Sequence, residues 1–384
     1  MEHRINNEVK SIEISGIRKF FNLVNDYDNM VSLTIGQPDF PTPEHIKKMT
    51  IEAIHRNHTT YTHNAGILSL RTAISNYVKE RYQLDYHPEE EILVTVGASE
   101  AIAATLKTIL DQGDEVILPG PVYPGYEPLI TLNGAKAVYV DTRQSKFKLT
   151  AELIEPMITS RTKAILIPYP SNPTGVTLSE EELKAIASLL DDKDIFLIAD
   201  EIYSELIYEK DHFSIGRCRK IKDKTIIING VSKSHSMTGF RIGYILGPAW
   251  LIQHILKVHQ YYVSCATSVS QYAALEALTN GKNDAEVMRD AYRERRDFVY
   301  KRLVEMGIST YLPDGGFYYF IPLSSSSKSS LEIALELVEK ERLALVPGSA
   351  FSKYGEGYLR LSYAYDLDTL KKGLNRLEQF LIDF

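Results

Sequence analysis

The stretch TIIINGVSKSHSMTGFRIG, residues 225–243, joins an apolar run to a turn that is rich in glycine, serine and basic residues. The run TIIIN (225–229) is apolar at consecutive positions, which is typical of a strand buried on both faces of a sheet. Ser232, Lys233 and Arg241 follow it, between glycines that leave room for a ligand. Because parallel α/β sheets bind ligands outside the carboxyl ends of their strands, this turn is a candidate site.

Five further runs of the same kind precede this stretch, and helical patterns separate them. The runs are ILVTV (92–96), EVIL (115–118), AVYV (137–140), KAILIP (163–168) and IFLIA (195–199). One intervening helix is predicted where Ser179 and Glu182 have capping-box spacing. Strands that alternate with helices predict an α/β fold, with a mostly parallel sheet and helices on both of its faces.

The pattern changes after about residue 284, where a smaller α+β unit is predicted. A long helical stretch precedes the apolar run GGFYYFI (315–321), and YLRLSYA (358–364) precedes a last helix. The serine-rich stretch SSSSKSS (324–330) predicts a surface loop. We therefore predict an amino-terminal segment (1–45) that joins the small domain, a large domain (46–284) and a small carboxyl-terminal domain (285–384).

Composition and charge exclude several classes of function. The 384 residues include 43 basic and 50 acidic side chains, a formal charge of −7, which argues against nucleic acid as the partner. No apolar run is long enough to cross a membrane, and the charged amino terminus does not resemble a secretory signal. The two cysteines, Cys218 and Cys265, lack metal-type spacing, so we predict no metal site and a reduced, cytoplasmic protein.

A second strand end carries GAS (97–99), directly before a predicted helix. Gly97 allows the chain to approach a ligand closely, and the free N–H groups of the helix start form an anion seat together with Ser99. Taken singly, this segment is more typical of an ordinary strand-to-helix turn with a serine cap than of an anion site.

Two more strand ends present an amide and a carboxylate. SNPTG (171–175) places Asn172 at the edge of the sheet, although Asn-Pro followed by glycine, taken singly, is more typical of an ordinary turn. ADEIY (199–203) places Asp200 at the end of an apolar strand, where a carboxylate either caps a helix or pairs with a cation.

Together the four strand ends offer an amine nucleophile, a phosphate seat in several pieces and a buried carboxylate. These are the groups that pyridoxal phosphate requires, because a lysine bonds its aldehyde and an acid keeps its ring nitrogen protonated. The amine would come from Lys233, the acid from Asp200, and the phosphate contacts from the segments around Ser99 and Arg241.

These motifs resemble those of the class I/II aminotransferases, which are pyridoxal-phosphate enzymes of fold type I. The resemblance runs from LTIGQPDF (33–40) to YLRLSYA (358–364). It is carried by SNPTG, DEIY, SK followed by G-x-R-x-G, and a late arginine, in that order. It implies a seven-stranded sheet, and a ping-pong transfer of an amino group between an amino acid and a 2-oxo acid, with glutamate and 2-oxoglutarate as the general pair.

The resemblance assigns cofactor contacts residue by residue. Lys233 would bond the cofactor and carry the proton between the substrate Cα and the cofactor carbon, and Asp200 would pair with the ring nitrogen. Tyr203 and Asn172 would bond the ring hydroxyl oxygen, and Tyr123 would stack on the ring. The residues that would hold the phosphate are Ala98, Ser99, Ser232 and Arg241, with Gly97 at the turn.

The resemblance also implies substrate contacts and a homodimer. Arg360 would grip the substrate α-carboxylate with both prongs of its guanidinium, and Gly36 would approach it with its backbone. Tyr61 resembles the tyrosine that reaches the phosphate of the partner subunit, which implies shared active sites. Arg18 and Lys19 are candidates for contact with a distal substrate carboxylate, and a solvated face of the entry segment is the alternative.

Two positions near the lysine need a separate interpretation. Many members of the family have a hydroxyl residue three positions before the lysine, whereas this chain has Gly230, which leaves Ser232 as the hydroxyl for the phosphate. His235 lies two positions after the lysine, and we predict a packing role for it.

The sequence leaves the substrate and the reaction type open. Transamination of aspartate or of aromatic amino acids is an alternative specificity. A β-elimination that cleaves a C–S bond is an alternative reaction, since the same lysine, aspartate and arginine serve it. A regulator that uses the fold as a sensor is disfavoured, because the chain has no basic patch and only about 30 residues before the first motif.

Overall fold

A computed structural model describes residues 1–24, 27–323 and 327–382 of the chain. The helices of this part are α1 (Asn7–Ser11), α2 (Gly16–Val24), α3 (Glu44–His55), α4 (Leu68–Tyr82), α5 (Gly97–Ile109), α6 (Tyr126–Thr131), α7 (Ala151–Ile154), α8 (Glu180–Leu190), α9 (Ala249–Val263), α10 (Ser268–Thr279), α11 (Asp284–Glu305), α12 (Ser330–Glu341) and α13 (Leu367–Ile382). The strands are β1 (Val31–Ser32), β2 (Ile92–Thr95), β3 (Glu115–Gly120), β4 (Lys136–Asp141), β5 (Thr162–Ile167), β6 (Phe196–Asp200), β7 (Thr225–Gly230), β8 (Gly243–Leu246), β9 (Tyr318–Pro322), β10 (Leu343–Ala344), β11 (Val346–Pro347) and β12 (Tyr358–Ser362).

A seven-stranded sheet with the order β2-β8-β7-β6-β5-β3-β4 forms the centre of the large unit. The six apolar runs of the sequence are its strands β2 to β7, and β8 is the seventh. β8 runs antiparallel to both of its neighbours, and the other neighbouring pairs are parallel. The prediction of a mostly parallel, seven-stranded α/β sheet is therefore confirmed.

Apolar side chains pack on both faces of this sheet. Ile165 and Ile167 of β5 join one core, with residues of α3, α4, α8 and α10. Ala164 and Leu166 of the same strand join the other core, with residues of α5, α6 and α9. Because successive side chains of a strand point to opposite faces, burial of both faces explains the continuous apolar runs.

Local signals in the sequence set where α8 begins. The Ser179 hydroxyl accepts a hydrogen bond from the Glu182 N–H, and the Glu182 carboxylate accepts one from the Ser179 N–H. This reciprocal cap satisfies two N–H groups that the helix itself leaves free. The predicted capping box is confirmed.

A smaller unit contains an antiparallel sheet β11-β12-β9 and a parallel pair β1-β10. Its core also includes Phe20, Val24 and Leu33, so the amino-terminal segment packs with it, whereas the exact domain boundaries stay predictions. β9 begins later than predicted, because Gly315 and Gly316 form hydrogen bonds with the Gly175 and Leu206 carbonyls before the strand starts.

Two further observations concern parts of the chain away from the central sheet. Residues 324–326, which belong to the serine-rich stretch predicted as a surface loop, lie outside the described residues. Among the helices of the described ranges, none combines the length and the apolarity that a membrane crossing needs.

Candidate active site

The polar groups singled out in the sequence follow four strands of the central sheet. Gly97 begins α5 directly after β2, and Asn172 follows β5. Asp200 is the last residue of β6, and Lys233 follows β7. Because these strands run in one direction, their carboxyl ends lie at one edge of the sheet, and the four segments meet there.

Arg241 reaches the same edge because β8 runs in the opposite direction. Arg241 lies two residues before Gly243, the first residue of β8. Gly243 pairs with Thr95 of β2 and with Gly230 of β7. The start of an antiparallel strand lies beside the ends of its neighbours, so an arginine before β8 is placed next to groups after β2 and β7. Arg241 itself has φ of 55°, a left-handed conformation that is uncommon for residues with side chains.

A cavity of about 600 Å³ opens at this edge, between the central sheet and the smaller unit. The predicted site residues that line it are Gly36, Ala98, Ser99, Tyr123, Asn172, Asp200, Tyr203, Ser232, Lys233, Arg241 and Arg360. The structure therefore brings together side chains from almost the whole length of the chain.

The Lys233 amine lies inside this cavity and donates a hydrogen bond of 2.6 Å to the Gly36 carbonyl. The pKa of Lys233 falls to about 8, first because burial disfavours the charged amine and then because of the positive charges of Arg241 and Arg360, while Asp200 opposes the shift. An amine with a lowered pKa is neutral for a larger fraction of the time at neutral pH, so it is a better nucleophile.

The Asp200 carboxylate is only 7% exposed and is held by two hydrogen bonds. The Tyr126 hydroxyl donates to Oδ2 at 2.8 Å, and the Ile202 N–H donates to Oδ1 at 3.2 Å. Burial raises the pKa of Asp200 to about 6, although these hydrogen bonds favour its charged form. A turn rather than a helix follows Asp200, so the alternative of a helix cap is not supported.

Arg360 lies on β12 with its guanidinium buried beside the cavity. Its Nη1 donates a hydrogen bond of 3.0 Å to Asn172 Oδ1, and its guanidinium lies 4.5 Å from the centre of the Tyr318 ring. Burial lowers the pKa of Arg360. Its buried Nε has no hydrogen-bond partner among the described residues, and such donors are normally satisfied, so capacity for a carboxylate remains.

The start of α5 and Arg241 lie together at the predicted anion site. Gly97 has φ of 74°, a conformation that favours glycine, and it lies so close to Arg241 that a Cβ atom at this position would lie 2.6 Å from Arg241 Nη2. Ser99 is exposed, and no side chain caps the helix, which leaves the N–H groups of the first turn available. The alternative of an ordinary serine-capped turn is therefore not supported.

Comparisons with known proteins agree with this geometry. Residues 28–377 match the family model of class I and II aminotransferases. A probable N-acetyl-LL-diaminopimelate aminotransferase of Bacillus subtilis is 56% identical over 382 residues, which are 100% of this chain and 97% of that protein. An aromatic-amino-acid aminotransferase of Thermococcus litoralis is 36% identical and covers 98% of both chains. The aspartate aminotransferase of Thermus thermophilus, solved with maleate, superposes with a TM-score of 0.93 at 35% identity, over 98% of this chain and 99% of that one.

The chain belongs to the class I and II aminotransferases. The resemblance inferred from the motifs is confirmed, and the protein is a transaminase. Aminotransferases of this class depend on pyridoxal phosphate. The cavity fits that cofactor, since it combines an amine of lowered pKa, a buried carboxylate and an anion seat beside a tyrosine ring.

The aminotransferase has glycine at position 230 for a steric reason. A Cβ atom there would lie 2.8 Å from the Ile242 carbonyl oxygen and 2.9 Å from Gly243 Cα, which are backbone atoms that cannot move aside easily. A hydroxyl residue is therefore excluded at position 230, and the buried Ser232 is one of the hydroxyl residues of this segment that line the cavity.

His235 and Tyr61 lie outside the cavity lining. His235 is fully buried and hydrogen-bonds the Ser234 hydroxyl and the Gly281 carbonyl, which accords with a packing role. Tyr61 is 86% exposed on the single chain, so its predicted contact with a partner subunit stays a prediction.

Several residues of the aminotransferase cavity are not among those predicted from the sequence. Tyr126 is one of them, and PVYPGYE places it three residues after Tyr123, at the start of α6. Tyr318, whose hydroxyl hydrogen-bonds the Tyr203 hydroxyl at 2.9 Å, was assigned only to a strand. Ile17 and Phe21 of α2 also line the cavity, and no local signal in the sequence distinguishes them from other apolar residues of an amphipathic helix.

Proposed function

We propose that this aminotransferase binds pyridoxal phosphate through Lys233 and transfers amino groups by a ping-pong mechanism. The observation that carries the proposal is the meeting of three groups in one cavity. These are the Lys233 amine with its lowered pKa, the buried Asp200 carboxylate and the anion seat formed by α5 and Arg241. No one of them alone distinguishes this site from an ordinary sheet edge.

When bound, the cofactor supplies an aldehyde that bonds amines and an electron sink for the bond that breaks at the substrate Cα. Lys233 would attach it and then carry the proton from Cα, because its Nζ is an uncharged base for a larger fraction of the time than a solvated amine. Asp200 would stabilise a proton on the ring nitrogen, since it offers a negative charge in a poorly solvated place.

Other residues of the cavity would hold and orient the cofactor and substrate. Asn172 and Tyr203 are proposed to bond the ring hydroxyl oxygen, and Tyr123 to stack on the ring. Arg360 is proposed to bind the substrate α-carboxylate with its unpartnered Nε and a neighbouring Nη, as a fork that lysine cannot reproduce. Gly36 is proposed to approach this carboxylate with its backbone. The residues proposed to hold the phosphate are Gly97, Ala98, Ser99, Ser232 and Arg241.

The proposed amino donor is N-acetyl-L,L-diaminopimelate, with 2-oxoglutarate as the acceptor, in diaminopimelate and lysine biosynthesis. The support is the Bacillus subtilis relative of that name, which is 56% identical over the full chain. The stretches of this chain that resemble that enzyme are EISGIRKF (13–20), PGPVYPGYEP (119–128), INGVSKSHSMTGFRIG (228–243) and HILKVHQYYVSCA (254–266). Aspartate and aromatic amino acids are the alternative donors, as relatives near 36–38% identity carry those names.

We further propose that the protein is a homodimer with shared active sites. We also propose that it is located in the cytoplasm. The support for the dimer is the exposed Tyr61 ring, which the resemblance assigns to the phosphate of the partner subunit. Cys218 and Cys265 are both free, as the reducing cytoplasm would keep them.

The Lys233→Ala variant tests the central assignment. We expect the purified variant to lose both the visible absorbance of the covalently bound cofactor and its turnover, because no other amine of the described residues lines the cavity. Lys220→Ala is the matched control, since Lys220 is a surface lysine paired with Asp191. A Lys233→Ala protein that keeps the absorbance and the turnover would refute the proposal.

A half-reaction screen tests the donor. Single amino acids are added to the cofactor-loaded enzyme, and the loss of its visible band is followed without any 2-oxo acid. We expect a strong response to N-acetyl-L,L-diaminopimelate and a weak one to aspartate or tyrosine, and the reverse order contradicts the proposed specificity. Pyruvate and ammonia released from cystathionine without an acceptor would instead favour a C–S lyase.

A further inference from the structure

Helix α2 (Gly16–Val24) forms part of the cavity wall and is anchored to the smaller unit. Phe20 and Val24 are buried in the core of that unit. A Cβ atom at Gly16 would lie 3.0 Å from the Ala350 Cβ, so the start of the helix packs closely against the neighbouring segment. A second face of α2, which includes Ile17 and Phe21, lines the cavity.

Arg18 is the charged residue that α2 contributes to the cavity lining. Its side chain is exposed, and its guanidinium makes no ion pair with residues in the ranges 1–24, 27–323 and 327–382. The next residue, Lys19, is different, because it pairs with Glu13 at 2.5 Å and is not part of the lining. The structure thus distinguishes the two basic residues, because Arg18 lines the cavity and Lys19 forms an ion pair outside it.

Among the described residues, the charges of the cavity lining leave Arg18 without a counter-ion. The charged residues of the lining, within the described chain, are Arg18, Asp200, Lys233, Arg241 and Arg360. The proposed function assigns the cofactor's aldehyde, ring nitrogen and phosphate, and the substrate α-carboxylate, to the last four. An arginine in a protein of net charge −7 that faces a ligand cavity is therefore available for one further anionic group.

We infer that Arg18 determines specificity by binding a second carboxylate, at the far end of the substrate side chain. The substrates it selects are amino and 2-oxo dicarboxylic acids whose side chain is longer than that of aspartate, with their methylene groups against Ile17 and Phe21. The inference rests on the proposed function, because it assumes that Arg360 holds the α-carboxylate. Of the two candidates for contact with the distal carboxylate, Arg18 and Lys19, the inference selects Arg18.

The test compares three variants of the full-length, cofactor-loaded enzyme. Arg18→Ala removes the charge, Arg18→Lys keeps the charge without the two-pronged geometry, and Lys19→Ala is the matched control on the same helix. The kcat/KM values for glutamate and alanine are measured for each, and calorimetry gives the affinity for glutarate and for butyrate as unreactive probes. Glutamate has a distal carboxylate that alanine lacks, and glutarate has one that butyrate lacks.

We expect Arg18→Ala to lower the ratio of kcat/KM for glutamate to that for alanine by about tenfold, the effect of losing one charge-assisted contact. The preference for glutarate over butyrate should fall by a similar factor, also about tenfold. Arg18→Lys should recover part of both ratios, and Lys19→Ala should keep both.

Two results overturn the inference. One is an Arg18→Ala enzyme with wild-type ratios, and the other is a Lys19→Ala enzyme that loses them as strongly. A different result identifies failure of the proposed function itself, namely a wild-type enzyme that transfers no amino group from either donor. The wild-type measurement therefore separates the two cases before any variant is compared.

Discussion

The Tyr126 hydroxyl offers a direct test of how the protein keeps Asp200 charged. Tyr126 is buried, and its hydroxyl donates the shorter of the two hydrogen bonds to the carboxylate, at 2.8 Å. Tyr126→Phe removes this donor and leaves the ring, which packs edge-on against Tyr123 with the ring centres 5.4 Å apart. The change in volume is small, so we expect the variant to fold.

The size of the effect follows from the environment of Asp200. Burial raises its pKa to about 6, so about nine-tenths of the carboxyl is ionised at about pH 7. A hydrogen bond to a charged group contributes about 1.5–3 kcal/mol. One pKa unit corresponds to about 1.4 kcal/mol, so the pKa should rise by about one to two units. The carboxyl would then be half to mostly neutral at neutral pH, and the ring nitrogen would lose its charged partner.

The assay is the pH dependence of kcat/KM for alanine. We expect the acid limb of the profile to move upward by about one to two pH units in Tyr126→Phe. Tyr139→Phe is the matched control, because its hydroxyl donates to the Glu127 carboxylate at 2.9 Å, away from the cavity lining. A Tyr126→Phe profile that superposes on the wild-type profile, or an equal shift in Tyr139→Phe, would refute the reasoning.

Two further predictions concern the substrate anchor and the stability of the fold. Arg360→Lys should lower kcat/KM for alanine and glutamate alike by about tenfold to hundredfold. The reason is that lysine cannot both keep the hydrogen bond to Asn172 and bind a carboxylate in a bidentate way. An unequal loss for the two substrates would contradict the assignment of Arg360 to the α-carboxylate. Burial lowers the pKa of His45, but hydrogen bonds from its ring to Asp284 and Glu276, both 2.8 Å, outweigh it and raise the pKa above 6.5. The contribution of the protonated His45 ring to the free energy of unfolding is therefore complete below about pH 6.5. It is lost as the pH rises through the higher pKa of His45 in the folded state. His45→Gln should lower the free energy of unfolding more at about pH 5.5 than at about pH 9, by no more than about 1 kcal/mol, because the side chain is 38% exposed. Thermal unfolding at the two pH values measures this, and equal losses at both would exclude the charged pair.

The fold was largely predictable because its signals are local. Six runs of consecutive apolar residues became six strands, since a strand buried on both faces requires apolar side chains at every position. The Ser179 cap was predictable for the same reason, because its partners lie within one turn. The seventh strand, β8 (Gly243–Leu246), was not located, because GYIL is short and its pairing with β2 and β7 depends on residues far away in the chain.

The candidate site was only partly predictable, because motifs show which residues carry chemistry and not how they are surrounded. Tyr126 was missed since nothing near it in the chain indicates that its hydroxyl meets Asp200. Arg18 and Lys19 were equivalent in the sequence, and only the packing of α2 separates the cavity-lining residue from the one paired with Glu13.

The amino-acid sequence by itself determined the strands, their order along the chain, and the lysine, aspartate and arginines that carry the chemistry, since each is marked by its immediate neighbours. The tertiary structure decided the charge states of those groups. The pKa of Lys233 falls because burial and two arginines from separate strands and turns disfavour its charge, and the pKa of Asp200 rises because the protein excludes water from it. The interactions that shift these pKa values depend on the distances between charges and on their burial, and both are set only when the chain folds.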